Sequence, residues 1–349
     1  MSNEQLHDNK FIIAAAGSGK TTCLVDEALA LRDKKILVTT FTIENFEQIN
    51  EYIVQRKGYV PENITVLTWY SFLLQHGVRP YRNLVIDNMR VQSLYFDNTP
   101  PTATFTPKTN ALKYYLTESG LIYRDRVAEF VCQCNEVSSG LVISRLEKIF
   151  DYIFIDEIQD LSGYDLNLLE SLLKSTLTVV GVGDFRQATF STNHSRKNKK
   201  YKKTNIIDWI KIKEHEGLVR IEPLTDCYRC NQSICDFADK LFPKLPTTTS
   251  LNQITTGHDG VFFISDAEVE DYYAEYAPIV LRYNKKSNTM GLPAINIGVS
   301  KGRTYARVLV FPTNPMKKYF NDNNHEALKD KARLYVAITR ARFSVTFVI

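Results

Sequence analysis

The sequence holds no apolar run long enough to cross a bilayer core, so no membrane-spanning helix is expected. Residues Met1 to Lys10 are polar and too short for a secretory leader, which makes the cytoplasm the expected location. Net charge is also small. The 43 Lys and Arg nearly cancel the 39 Asp and Glu, and the resulting +4 neither demands nor excludes a polyanionic partner. Cysteine is sparse. Cys23, Cys132, Cys134, Cys227, Cys230 and Cys235 are expected as reduced thiols in a chain of this size without a leader. Cys132 and Cys134 with Cys227 and Cys230 could hold zinc, although the spacing is unusual and no histidine lies near either pair in sequence. What is present, 44% apolar and 11% aromatic residues over 349 positions, suits a globular chain of about two domains.

The strongest chemical signal runs from Phe11 to Leu24. Phe11-Ile12-Ile13 reads as a buried strand, Ala14 to Thr21 as a glycine-containing loop, and Thr22 to Leu31 as a helix. Strand, glycine loop and helix make the context of a phosphate-binding loop. Gly17 and Gly19 let the backbone curl its N–H groups toward an anion, and the following helix adds its positive end. Within Ala16-Gly17-Ser18-Gly19-Lys20-Thr21-Thr22, Lys20 would reach the β- and γ-phosphates and Thr21 would give a hydroxyl to Mg²⁺. The general pattern starts with glycine, where this chain has Ala14. The plainer alternative is a turn that merely joins a strand to a helix.

Ile36 to Thr39 reads as a second buried strand, ending in Thr40-Phe41-Thr42 at the ligand-bearing edge of an open α/β sheet. A helix is expected over Glu44–Gln55. Ile64 to Phe72 is a third strand-like run, and aromatics such as Trp69 at its end could stack on bases or simply pack in the core. The α/β rhythm then breaks from Gly77 to about Gly140, where a Pro- and Thr-rich loop and two helical stretches, Ala111–Leu116 and Asp125–Cys134, suggest an insertion. It resumes at Tyr152 to Asp160, a strand ending in two carboxylates. Asp156 suits holding Mg²⁺ through its water shell, and Glu157 suits a base that activates a water. After the strand at Thr178, Gln187 could sense a γ-phosphate and Asp184 could orient the site. Arg196 to Lys203 puts six cations in eight residues, Lys199 and Lys200 among them; such a run is either a solvated loop or a phosphate-backbone contact. Strand–helix alternation in the second half, with helices over Ser233–Leu241 and Ala332–Ala341 and strands over Val280–Asn284, Val308–Phe311 and Phe343–Ile349, implies a second parallel-sheet domain. It has no phosphate loop, and its expected contribution is an arginine aimed at a nucleotide.

The order of these segments resembles the superfamily 1 helicases of the UvrD/Rep/PcrA type over nearly the whole chain. A-A-A-G-S-G-K-T-T resembles motif I, which usually has alanine where Ala14 stands. T-T-F-T-I-E-N resembles motif Ia, T-W-Y-S-F the next strand-contacting motif, I-D-E-I-Q-D motif II and G-D-F-R-Q-A-T-F motif III. C-Y-R-C resembles motif IV, V-S-K-G-R-T-Y motif V and L-Y-V-A-I-T-R-A-R motif VI. The resemblance implies an α/β protein of two RecA-like P-loop domains, residues 1–193 with a small insertion at about 78–140 and residues 194–349, with ATP and Mg²⁺ in the cleft between them. It further implies that Thr21 and Asp156 hold Mg²⁺ and that Glu157 activates water. Gln187 would couple the γ-phosphate to the strand site, Arg229 and Arg340 would touch the γ-phosphate, and Tyr228 would stack on adenine. Thr40, Phe41, Thr68, Trp69, Phe190 and Lys301 would face single-stranded nucleic acid.

Three departures accompany the resemblance. Arg303-Thr304 stands where motif V usually has a glutamate. Only Gln5 is available as an adenine-reading glutamine, close before the loop. About a dozen residues separate Asn284 from Ile297, where family members carry a large accessory domain. The expectation is therefore an ATP-dependent translocase or weak helicase on single-stranded DNA, RNA not excluded. It would depend on a protein partner such as a nuclease, as in the compact UvrD-like proteins of antiviral defence. A regulatory nucleotide switch without unwinding is the alternative from a different class. A small-molecule kinase built on the same loop fits less well with Arg340 and the I-D-E-I-Q-D segment.

Overall fold

In a computed structural model, the structure describes residues 8–87, 89–97, 99–100, 105–189, 192–193, 195–322, 328 and 330–349. Phe190 and Gln5 lie outside them. The described chain groups into two compact units. One comprises residues up to Ile12, Thr21–Gly183 and Phe190–Glu222, and the other Ile13–Lys20, Asp184–Thr189 and Pro223–Ile349. The basic run after Arg196 thus groups with the first unit, and the chain passes to the second for good at Pro223, beyond the 193/194 division read from the sequence.

The strands β1 (Lys10–Ala14), β2 (Ile36–Thr40) and β3 (Ile64–Thr68) come first. β4 (Ser93–Tyr95) and β5 (Leu121–Tyr123) form a small parallel pair in the insertion. β6 (Tyr152–Asp156), β7 (Thr178–Gly183) and β8 (Arg220–Leu224) complete a six-stranded sheet of order β3-β2-β6-β7-β1-β8. The pairs β2–β3, β2–β6 and β6–β7 are parallel. All five residues of β2 are buried and four of five in β6, the continuous apolar strand pattern of a sheet covered on both faces. The run Ile64–Phe72 does not stay extended. Thr68 accepts a hydrogen bond from the Ser71 N–H and caps a helical turn, Trp69–Phe72.

In the second unit, β9 (Asp226–Cys227) pairs parallel with β10 (Thr249–Ser250). β11 (Gly260–Ile264), β12 (Ile279–Arg282), β13 (Ala294–Asn296), β14 (Tyr305–Phe311) and β15 (Ala341–Val348) make a sheet of order β11-β15-β14-β12-β13. Every pairing in it is parallel. Its core gathers Ile234, Val308, Val310, Leu334, Val345 and Phe347. The fold is therefore α/β with two parallel sheets. No helix among the described residues is long and apolar enough to cross a membrane.

Candidate nucleotide and nucleic-acid site

In the second unit the loop between β1 and the helix at Lys20–Ala30, residues 15–19, lies against the segment 224–229. Ala15 N–H donates to the Leu224 carbonyl at 2.8 Å, and Tyr228 N–H donates to the Gly17 carbonyl at 3.0 Å. Ala16 N–H donates to the Tyr335 hydroxyl at 3.3 Å. Gly17 and Gly19 take positive φ, +74° and +72°, a backbone region that glycine enters without steric cost. Gly17 has a second reason to lack a side chain, because a Cβ there would lie 2.6 Å from the Arg229 Cβ. Ser18 is buried, and its hydroxyl has no hydrogen-bond partner. A buried hydroxyl left unpaired in a glycine loop is a group that a phosphate oxygen would satisfy.

Three polar residues follow behind the loop. Gln187 donates to Asp184 Oδ2 at 2.8 Å and accepts from Arg340 Nη2 at 3.2 Å. Arg340, 1% exposed, also donates to the Arg303 carbonyl at 3.1 Å. Burial pulls its guanidinium down to about 10, and the neighbouring Arg229 acts the same way. Burial raises the Asp184 carboxyl against the pull of Arg186 and Lys20. Arg229 donates to the Thr339 carbonyl at 3.1 Å. The exposed Tyr228 ring projects from the same segment. Arg186, overlooked in the sequence, is buried, lies 3.7 Å from Asp239 and bonds the Pro246 carbonyl, which anchors the Asp184–Gln187 turn.

In the first unit, Thr21 Oγ1 donates to Asp156 Oδ2 at 3.2 Å. The other Asp156 oxygen accepts the Glu157 N–H at 2.9 Å. Glu157 sits at φ +56°, ψ +42°, a left-handed conformation that costs a residue with a Cβ about 1 kcal/mol or more. Non-glycine strain of this kind clusters at working sites. Gln159 donates its amide to Glu157 Oε2 and so fixes the carboxylate. Gly183 makes room for it, since a Cβ there would collide with the Gln159 amide. Sequence reasoning missed Gln159, although it stands inside I-D-E-I-Q-D.

The strand-facing candidates are mixed. Thr40 is fully buried with an unpartnered hydroxyl, and Phe41 is 8% exposed. Thr68 is committed to its helical cap. Trp69 is 0% exposed and donates its indole N–H to Asp165 at 2.8 Å, so no face of its ring is open to a base. It belongs to the core cluster with Phe41 and Phe72. Lys199 and Lys200 are exposed on a short turn and Lys301 is half-buried. Cys227 and Cys230 pack in the second unit's core, while Cys132 and Cys134 bond the Tyr164 and Tyr81 carbonyls in the first. Among the described residues no group of three or more His, Cys, Asp or Glu is placed to hold a metal ion.

A family model described as the viral superfamily 1 RNA helicase core domain matches residues 116–349, and one described as an AAA domain matches residues 2–193. Comparison with curated proteins returns no match. Among solved structures, the Arterivirus nonstructural protein 10 (helicase) is 17% identical, with a TM-score of 0.52 over 98% of this chain and 59% of that one. The same helicase in complex with DNA gives 17% identity and a TM-score of 0.52 over 98% of this chain and 60% of that one. At this identity the likeness is one of fold. The chain spans about 60% of the length of these helicases.

Proposed function

Since the chain belongs to the family described as the viral superfamily 1 RNA helicase core domain, we propose that it is the ATP-hydrolysing motor core of a helicase or translocase. It would act on single-stranded nucleic acid, with DNA favoured by the UvrD-like order of motifs. The observation that carries this reading is the Thr21–Asp156 hydrogen bond at 3.2 Å with Glu157 next to it in the chain. This donor set fits a hydrated divalent ion, and the unpartnered Ser18 hydroxyl fits a phosphate oxygen.

Lys20 and the N–H groups around Gly17 and Gly19 would hold the β- and γ-phosphates, while Ser18 and Thr22 close the loop. Thr21 and Asp156 would hold Mg²⁺, which supplies charge neutralisation on the phosphates when bound. Glu157, fixed by Gln159, would take the proton of the attacking water. Arg340 and Arg229 would meet the charge that develops on the γ-phosphoryl group. Gln187 would report that charge toward the strand, and Tyr228 would cover the base. Two motor domains alternating their grip would move the chain along the strand.

The connection from Arg282 to Ala294 supports dependence on a partner, because it leaves no room for an accessory domain. A nuclease, as in compact UvrD-like antiviral proteins, is the partner we propose. The test is ATP hydrolysis with and without single-stranded DNA or RNA. Stimulation by one of them is expected. A rate unchanged by both would sink the motor reading and leave the nucleotide switch.

A further inference from the structure

The basic run that the motor motifs do not use borders a cavity in the first unit. Its volume is about 890 Å³, near the top of the range of about 300–1,000 Å³ that small-ligand pockets occupy. Arg196, Lys197 and Tyr164 line it together with Lys108, Tyr114, Arg126 and the Phe105 ring. We propose that this groove binds a few consecutive unpaired nucleotides of the strand, as a contact separate from the motor segments. The proposal rests on the reading of the chain as a nucleic-acid motor.

The local fold explains why Arg196 and Lys197 are the cations that matter. Asn198 adopts φ +54°, and its side-chain amide donates to the Gly163 carbonyl and to Asn167 Oδ1, both at 2.9 Å. That pins the chain and turns it there. Arg196 and Lys197, just before the turn, line the cavity, whereas Lys199 and Lys200 lie beyond it and are absent from the lining. Both lining cations are exposed.

Charge and rings occur together in the groove. It has four cations and two carboxylates, Asp125 and Glu129. Both carboxylates are already engaged, Glu129 by Lys108 and Asp125 by Arg124 at 3.6 Å. The surplus is positive, and its exposed part is Arg196 and Lys197, while Arg126 is buried. Lys108 also donates to the Tyr164 hydroxyl at 3.2 Å, and the Arg126 guanidinium lies 3.8 Å over the Tyr114 ring, so these side chains hold one another in place. Phe105 is a large apolar ring that is 85% exposed. A bare ring beside backbone-directed cations is the combination that takes bases by stacking and phosphates by charge. An acidic peptide would use the cations and leave the ring idle.

The test uses the full chain and a labelled oligothymidylate of about 20 nucleotides. Arg196→Ala/Lys197→Ala should weaken binding about tenfold at low salt and flatten the log–log salt slope by about 1.4, two cations at about 0.7 each. Phe105→Ala should weaken oligothymidylate about tenfold and leave an abasic oligomer of the same length unaffected. Unchanged affinity and slope in the double variant would overturn the groove. Loss confined to the double variant, with Phe105→Ala binding as the parent does, would overturn base stacking and point to charge alone, as for an acidic peptide. Failure of the parent chain to bind any oligonucleotide would overturn the motor reading instead, a result separable from the first two.

Discussion

Arg340 Nη2 donates to Gln187 Oε1 at 3.2 Å, and both side chains are buried. The glutamine amide is held in turn by Asp184 at 2.8 Å, so a guanidinium lowered to about 10 has its acceptor fixed in orientation. Gln187→Ala removes that acceptor and leaves a buried charged donor short of a partner. The expected cost is about 1–3 kcal/mol of stability, read as a lower urea midpoint. In the same variant, stimulation of ATP hydrolysis by nucleic acid should fall toward none. Full stimulation in Gln187→Ala would remove the coupling role.

Gly17→Ala combines two penalties. The φ of +74° disfavours a Cβ, and that Cβ would press 2.6 Å from the Arg229 Cβ. ATP binding should be lost, as read by fluorescent nucleotide titration. Gly19→Ala meets no atom within 4 Å and carries only the backbone strain of φ +72°, so it should fold with the milder defect. Equal behaviour of the two variants would show that the contact with Arg229 is unimportant.

Glu157→Gln keeps the size, the left-handed backbone and a hydrogen bond with Gln159, and removes only the base. Turnover should drop by about 10²- to 10⁴-fold while ATP still binds. A variant that hydrolyses ATP at the parent rate would take Glu157 out of catalysis.

The parts of the fold that the sequence shows are those where one local pattern has a single physical meaning. The loop at Gly17–Thr21 and the Asp156-Glu157 strand end are such cases, because glycine placement and an apolar run into carboxylates leave few alternatives. Thr68 is the opposite case. Threonine favours strands and also caps helices, and only the hydrogen bond from Ser71 decides that the chain turns and buries Trp69. β8 was hidden by Pro223, which a sheet tolerates at an edge, and β8 is an edge of its sheet. The approach of Arg229 to Gly17 depends on packing between distant segments that no local pattern encodes, whereas the service of Gln159 to Glu157 is local and depends on the left-handed turn at Glu157.

Trp69→Phe distinguishes a core residue from a strand-stacking one. It deletes the indole donor to the buried Asp165 carboxyl, at an expected cost of about 1–3 kcal/mol. Affinity for single-stranded nucleic acid should stay at the parent value, since the ring is enclosed. A large loss of affinity with unchanged stability would restore Trp69 to the strand interface.

Asp165 gives the chain a pH dependence with a defined sign. Burial raises its carboxyl to about 6, against hydrogen bonds from Thr192, Trp69 and Asn193 that favour the ionised form. The unfolded chain releases this proton near 3.8. Between these values the folded state binds more protons than the unfolded state, so its stability falls as pH rises from about 4 to about 6 and is level above that. The size is up to about 3 kcal/mol, from roughly two units at 1.36 kcal/mol each. Asp165→Asn has no proton to hold, so the difference in urea midpoint between parent and variant should change across that window and nowhere else. A difference that stays constant from pH 4 to 7 would show that Asp165 remains ionised in the folded protein.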